Sequence, residues 1–384
     1  KLQGFFSSGI KVNQSILTAI KQPSNRSVLV STGPYRTLNY LDTLEVVYGV
    51  VCAKKYGTDP QSWDSTYQRK DLYNHADWSQ RAYNGEDKNG NGRLDPGEDL
   101  NGNGVLDRYL LPSPPNSPIL KAINESHKVT LYWAANAEWS VDPISLKRDF
   151  EGYRIYRTNA GADFDPTKSL LTSFVLTGDF DSINNIGNNT GFNYIKLSQP
   201  KIFQNDTNHY WYKFEFTNQL NGWQYVYTVT AYDEGDSSND LESLESSQLA
   251  NAHRIIPGSN TFEDETTEIG IYPNPYYGTA YWDGTKERER KIYFFNLPSK
   301  CEITIYTIAG DIVDKFNHDS KSYNGSDIEW FKTFSDGKQI MSGGEHAWDL
   351  ISKNDQAIAT GLYLFTVKNL SSGFIKKGKF LVIK

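Results

Sequence analysis

The stretch Gln224-Tyr225-Val226-Tyr227-Thr228-Val229-Thr230-Ala231-Tyr232 places Tyr225, Tyr227, Val229 and Ala231 on alternate positions. A period of two built from aromatic and β-branched residues marks a strand with one face in a core. Upstream, Val129-Thr130-Leu131-Tyr132-Trp133 and Gly152-Tyr153-Arg154-Ile155-Tyr156-Arg157 have the same character. Strands of this length, separated by turn-forming residues, predict a β-sandwich over residues 115–257. The chain is therefore read as mainly β.

Composition agrees with that reading, since an aromatic content of 14% with 25 tyrosines suits strands more than helices. At 384 residues the chain has room for two or three domains, each with its own core. A formal charge of −7, with no basic patch or basic helix, argues against nucleic acid or an anionic membrane as partner. No run approaches the roughly 20 apolar residues of a transmembrane segment. No leader opens the chain either, so a mature or processed product is expected. Cys52 and Cys301 fall in different predicted modules. Two buried free thiols are the simpler reading and a disulfide the other.

The three central strand blocks, together with Leu220 ahead of Tyr225, resemble a fibronectin type III domain. That resemblance implies a two-sheet sandwich. The span from Thr158 to Trp211 is longer than the family's and rich in Asn, Asp and Gly, so an extra hairpin or extended loop is expected there. Trp133 and Trp223 are expected in the core or at its rim rather than as a sugar platform.

Between this sandwich and the start of the chain lies Asp87-Lys88-Asn89-Gly90-Asn91-Gly92-Arg93-Leu94-Asp95-Pro96-Gly97-Glu98. Calcium takes oxygen ligands, and a twelve-residue loop supplies them from positions 1, 3, 5, 7, 9 and 12, with glycine at 6 for the sharp turn. Those positions are Asp87, Asn89, Asn91, the Arg93 carbonyl, Asp95 and Glu98, with Gly92 sixth. A second copy offers Asp99, Asn101, Asn103, the Val105 carbonyl and Asp107, but Leu110 stands where its glutamate should be. The second site is expected to be weaker or to share ligands with the first. Leu111-Pro112-Ser113-Pro114-Pro115 forbids a following helix, because proline has no amide donor and clashes with the preceding turn. The pair resembles the calcium loops of dockerin-type and thrombospondin type 3 modules, which implies a stiffened junction over residues 85–114.

Residues 1–84 read as a β-rich module with a helix near 70–84, where Leu72, Ala76 and Tyr83 have helical spacing. Short apolar strands are expected at Ser27 to Ser31 and from Thr43 to Cys52, the latter apolar on both faces and so buried on both sides. The pattern from Ser31-Thr32-Gly33-Pro34-Tyr35 through Asp42-Thr43-Leu44-Glu45-Val46-Val47-Tyr48-Gly49 resembles the closing segment of larger bacterial surface sandwiches. Either this module is completed by partner surface, from an upstream fragment of the same precursor or from copies of itself, or it is self-sufficient.

Glu263-Asp264-Glu265-Thr266-Thr267-Glu268 suggests an acidic linker over 258–268. Beyond it, Ile271-Tyr272-Pro273-Asn274-Pro275, Cys301 to Val313, Gly361 to Val367 and Lys377 to Lys384 are strand-like blocks over residues 269–384. Gly310 and Gly361 are placed at tight turns needing a positive backbone angle. These blocks resemble the C-terminal sorting domain of type IX secretion and the immunoglobulin-like domain of flagellar hook-capping proteins. The resemblance implies another sandwich, export by the type IX machinery, and an extracellular or outer-surface location.

No catalytic constellation accompanies these modules. The six histidines show no zinc-helix spacing, there is no Gly-x-Ser-x-Gly elbow, and acidic neighbours would repel phosphate from the Gly90/Gly92 and Gly102/Gly104 pairs. The leading expectation is a non-enzymatic, calcium-stiffened, multi-module structural or adhesion protein. The alternatives are the accessory C-terminal region of a secreted hydrolase whose catalytic domain lies upstream, and a subunit of a surface filament or layer.

Overall fold

The computed structural model describes residues 37–44, 46–54, 56–57, 66–158, 170–236, 241–280, 282–283, 287–325 and 340–384. They belong to two compact units, Lys1–Pro112 and Ser113–Lys384. The protein is mainly β.

Among the described residues of the first unit, helix α1 spans Lys70–Asn84. The strand expected from Thr43 to Cys52 is not formed: its described residues lie outside any ladder, with Tyr48 59% and Val50 93% exposed. Period-two alternation creates a face for a neighbour to cover, and among the described residues no strand pairs with it. The strand predicted at Ser27 to Ser31 lies outside the described residues. Cys52 is exposed rather than buried, and both cysteines are free thiols.

The second unit contains two sandwiches. The first is built from β1 (Leu120–Glu125), β2 (Lys128–Ala134), β3 (Phe150–Thr158), β4 (Phe174–Asp181), β5 (Lys196–Lys201), β6 (Tyr210–Thr217), β7 (Tyr225–Asp233) and β8 (His253–Ile256). The second uses β9 (Gly270–Tyr272), β10 (Ile292–Phe295), β11 (Lys300–Thr307), β12 (Ile312–Asp319), β14 (His346–Trp348), β15 (Gly361–Asn369) and β16 (Ile375–Val382), while β13 (Ile340–Met341), between β12 and β14 in the chain, joins β8 of the first. The sheet orders are β1-β2-β6-β5 and β4-β3-β7-β8-β13 in the first, then β9-β10-β14 and β12-β11-β15-β16 in the second. Every pairing is antiparallel except that of β13 with β8.

The core of the first sandwich forms around Trp133, which stacks on Tyr212 at 5.6 Å and meets Tyr153 edge-on at 5.7 Å. Both tyrosine hydroxyls donate to Glu138 Oε1, at 2.6 Å from Tyr212 and 3.0 Å from Tyr153, so the aromatic bodies are buried with their polar ends satisfied. Trp133 and Trp223 are both core residues. The Leu220 amide donates to the Tyr225 hydroxyl at 3.2 Å, a link across the corner where β7 begins. β7 is buried along its whole length and not on one face only. Its outward Thr228 and Thr230 donate to Asn251 and Glu245, both from the segment that follows and folds back over the sheet. The long span before Trp211 holds β4 and β5 as additional strands.

The second core gathers Ile303, Ile305, Phe294, Phe365, Val367 and Phe380. Gly310 has φ of +94° in the β11–β12 turn, as expected. Gly361 does not need a positive angle: it opens β15 in ordinary extended backbone. The outer edge of β16 is covered by residues 274–276, since Tyr276 exchanges backbone hydrogen bonds with Leu381 and Ile383. An edge so paired cannot template another chain at that point.

The two sandwiches share a buried seam. Tyr293, Trp282 and Ala347 of the second belong to the same apolar cluster as Trp133 and Tyr227 of the first. Tyr293 donates to the Gly222 carbonyl at 2.9 Å. Glu345 accepts from the Ser259 amide at 2.7 Å and from the Tyr272 hydroxyl at 2.6 Å. The start of the acidic stretch is thus packed into the seam: Pro257, Gly258 and Ser259 are buried, and a side chain at Gly258 would overlap the Glu345 carboxylate. Farther along, Glu263 accepts from the Ser299 amide and the Asn369 side chain.

Candidate metal centre

Helix α1 ends at Gly85, whose φ is +58° and where any side chain would overlap the Asp107 carbonyl. The next residue, Glu86, donates its amide to that same carbonyl at 2.9 Å, tying the two ends of residues 86–107 together. Between them the chain makes two loops, and their hydrogen bonds repeat at an offset of twelve residues.

In the first loop Asp87 accepts from the amides of Asn91 and Gly92 at 2.9 and 2.7 Å. In the second, Asp99 accepts from Asn103 and Gly104 at 3.0 and 2.9 Å. Asn89 Oδ1 and Asn101 Oδ1 each accept from the amide two residues on, and so do Asn91 Oδ1 and Asn103 Oδ1, the last pair meeting the amides of Arg93 and Val105. The side-chain amides of Asn89 and Asn91 converge on Asp95 Oδ2, and those of Asn101 and Asn103 on Asp107 Oδ2. Gly90, Gly92, Gly102 and Gly104 have φ between +71° and +78°, the left-handed geometry that glycine adopts without a Cβ clash.

Closure of the loops decides how they are related. Glu98 Oε1 accepts from the Lys88 amide and Oε2 from the Asp95 amide, each at 2.9 Å. The equivalent amides of the second loop are Leu100 and Asp107. They donate to Glu86 Oε1 at 2.8 Å and Glu86 Oε2 at 2.9 Å. Glu86 therefore fills the role that Leu110 cannot, and each glutamate closes the loop that its own repeat does not begin. Reading forward from Asp99 for a twelfth residue misses Glu86. The signal that finds it is the pair Glu86-Asp87 recurring as Glu98-Asp99.

Glu86, Asp87 and Glu98 are buried. Burial alone would raise the Asp87 pKa, but the amides of Gly92, Asn91 and Gly90 and the charge of Arg108 outweigh it and hold the carboxyl below its ordinary value. Arg108 lies 3.4 Å from Asp87 and its guanidinium covers the Tyr83 ring, fastening the loops to the end of α1. The donor set fits a hard cation in kind: carboxylates, side-chain amide oxygens and backbone carbonyls in a twelve-residue frame. Each Asn Oδ1 that receives one amide keeps a second lone pair. Among the described residues, no group of three or more His, Cys, Asp or Glu side chains is already gathered in metal-holding geometry.

One cluster escaped the sequence reading. His318 and His346, buried on β12 and β14, bring their Nδ1 atoms to 3.2 Å, and His318 Nε2 lies 2.8 Å from the Gly343 carbonyl. Their separation of 28 residues hides this pairing from any spacing rule. Cys301 is also buried here, with its thiol pushed up to about 12 by burial and the charge of Glu263.

No protein-family signature matches the chain, and no curated protein matches it. Solved structures are partly similar. One is PorZ, an essential bacterial surface component of the type IX secretion system of Porphyromonas gingivalis, at 17% identity over 40% of this chain and 15% of that one, with a TM-score of 0.21. A segment of two fibronectin type III domains from chicken tenascin matches at 8% identity over 70% of this chain and 99% of that one, also with a TM-score of 0.21. Dimeric latent PorU of Porphyromonas gingivalis matches at 13% identity over 71% of this chain and 20% of that one, with a TM-score of 0.18. The chain thus spans a fifth or less of the PorZ and PorU chains. Likenesses this partial do not say what the chain does. Among the described residues no helix is long and apolar enough to cross a membrane.

Proposed function

We propose that the protein is a non-enzymatic, multi-module component of the outer cell surface or extracellular space, exported by type IX secretion and stiffened by calcium at residues 86–107. The observation that carries the calcium reading is the twelve-residue repetition of one hydrogen-bond pattern, closed by two buried glutamates. Asp87, Asn89, Asn91, the Arg93 carbonyl, Asp95 and Glu98 would hold one ion. Asp99, Asn101, Asn103, the Val105 carbonyl, Asp107 and Glu86 would hold the other. Bound calcium would neutralise the converging carboxylates and cross-link residues that the backbone separates by up to twenty-one positions.

The export reading rests on the sorting-domain resemblance of residues 269–384. Thermal unfolding with calcium and then with excess chelator tests the metal. An ion that binds only the folded form raises stability by about 2.7 kcal/mol per site at a hundredfold excess over Kd. The midpoint should rise with calcium, and the rise should shrink in an Asp87→Ala/Glu98→Ala variant. An unchanged midpoint in millimolar calcium overturns the calcium reading. Retention inside the producing cell after deletion of residues 269–384 tests the export reading, and normal release would refute it.

A further inference from the structure

A second acidic site lies in the fibronectin-like sandwich, where β3 and β4 meet. Asp181, at the end of β4, is buried. Its Oδ1 accepts from the amide and hydroxyl of Thr190, and its Oδ2 from the amides of Asn188 and Asn189. Burial acts to raise its pKa, but these four donors hold it below the ordinary carboxylate value. All of its usual acceptor positions are filled.

Glu151, on β3, is only 2% exposed. Its Oε2 accepts from the Asn184 side chain at 2.7 Å, while its buried Oε1 has no hydrogen-bond partner among the described residues. That oxygen is aimed into the 182–191 loop. A Cβ placed on Gly187 would lie 3.8 Å from Glu151 Oε1 and 2.5 Å from Asp181 Oδ2. Gly187 also has φ of +65°, so this residue brings bare backbone up to both carboxylates.

A buried carboxylate oxygen with no partner is costly, and a second carboxylate beside it raises the cost. Burial, and then the Asp181 charge, push the Glu151 pKa up despite the Asn184 hydrogen bond. Protonation at Oε1 does not resolve the problem. It would remove the charge at this one oxygen without supplying a partner for its remaining lone pair. A hard cation answers both the charge and the empty lone pairs, and water can complete its oxygen shell.

We propose that Glu151 and the 182–191 loop form a calcium-class cation site, in which Glu151 Oε1 is a direct ligand and Asp181 shapes the loop around the ion. The site shares no residue with 86–107 and does not depend on them. The test uses the full chain carrying Asp87→Ala and Asp99→Ala, which removes the first ligand of each of those loops, in calcium at about 10⁻³ M, the range of extracellular modules. Equilibrium dialysis with metal analysis should find one ion per chain, and adding Glu151→Gln should abolish it while near-ultraviolet circular dichroism stays unchanged. Gln can keep the Asn184 hydrogen bond, and Asp181→Asn provides a second variant expected to weaken binding. The proposal is overturned if the loop-silenced chain holds no calcium, in which case water occupies the position, or if Glu151→Gln leaves the ion in place. The reading of residues 86–107 fails separately, when the wild-type chain binds no more calcium than the loop-silenced one.

Discussion

Replacing Glu345 with Gln isolates the charge buried in the seam between the two sandwiches. Burial pushes this carboxyl up to about 7 from its ordinary 4.5, against the opposing hydrogen bonds from Tyr272 and Ser259. Between those values the folded chain keeps the proton that the unfolded chain has lost. The unfolded state then binds fewer protons, so stability falls as pH rises, by about 1.4 kcal/mol per pH unit. Across the window the loss is about 3 kcal/mol, complete near pH 7 and absent below pH 4.5. Asp149, pushed up to about 6 by burial and its acidic neighbours, also titrates here, so the wild-type curve alone does not isolate Glu345. The difference between wild type and Glu345→Gln does, because the other groups cancel. Urea denaturation of both proteins from pH 4.5 to 8 should show the variant gaining about 3 kcal/mol relative to wild type as pH rises. A pH-independent difference would refute a proton on Glu345 in the folded protein.

Other substitutions follow from the same contacts. Glu86→Gln should lower calcium stoichiometry by one ion per chain while leaving the loop closed by Glu98 intact, and an unchanged ion count would rule out Glu86 as the second loop's closing ligand. Tyr225→Phe removes the acceptor of the Leu220 amide and should cost about 1 kcal/mol in chemical denaturation, with no change showing that the corner link is immaterial. With a thiol reagent, Cys52 should react in the native protein and Cys301 only on unfolding. Two fast equivalents would contradict the burial of Cys301.

What the sequence discloses follows the range of each interaction. The strands at Val129, Gly152 and Tyr225 and the helix ending at Asn84 are legible because period and punctuation are local. The turn from Asp87 to Glu98, with its glycines and side-chain-to-amide hydrogen bonds, is legible because one short segment contains all of it. Glu86 is not, since it works backward across the repeat on residues as far as Asp107. The exposed stretch from Thr43 to Cys52 shows the converse, a strand-like period without a pairing strand among the described residues. The seam residues Gly222, Glu345 and Tyr293 carry no local mark, because their partners come from the other sandwich. Gly361 was misplaced for a related reason: glycine permits a turn without requiring one.

The exchange of closing glutamates makes the two twelve-residue repeats a circuit. Glu98 begins the second and seals the first, and Glu86 begins the first and seals the second. Deleting either repeat removes the glutamate that seals the other, so neither loop is closed by residues of its own repeat alone.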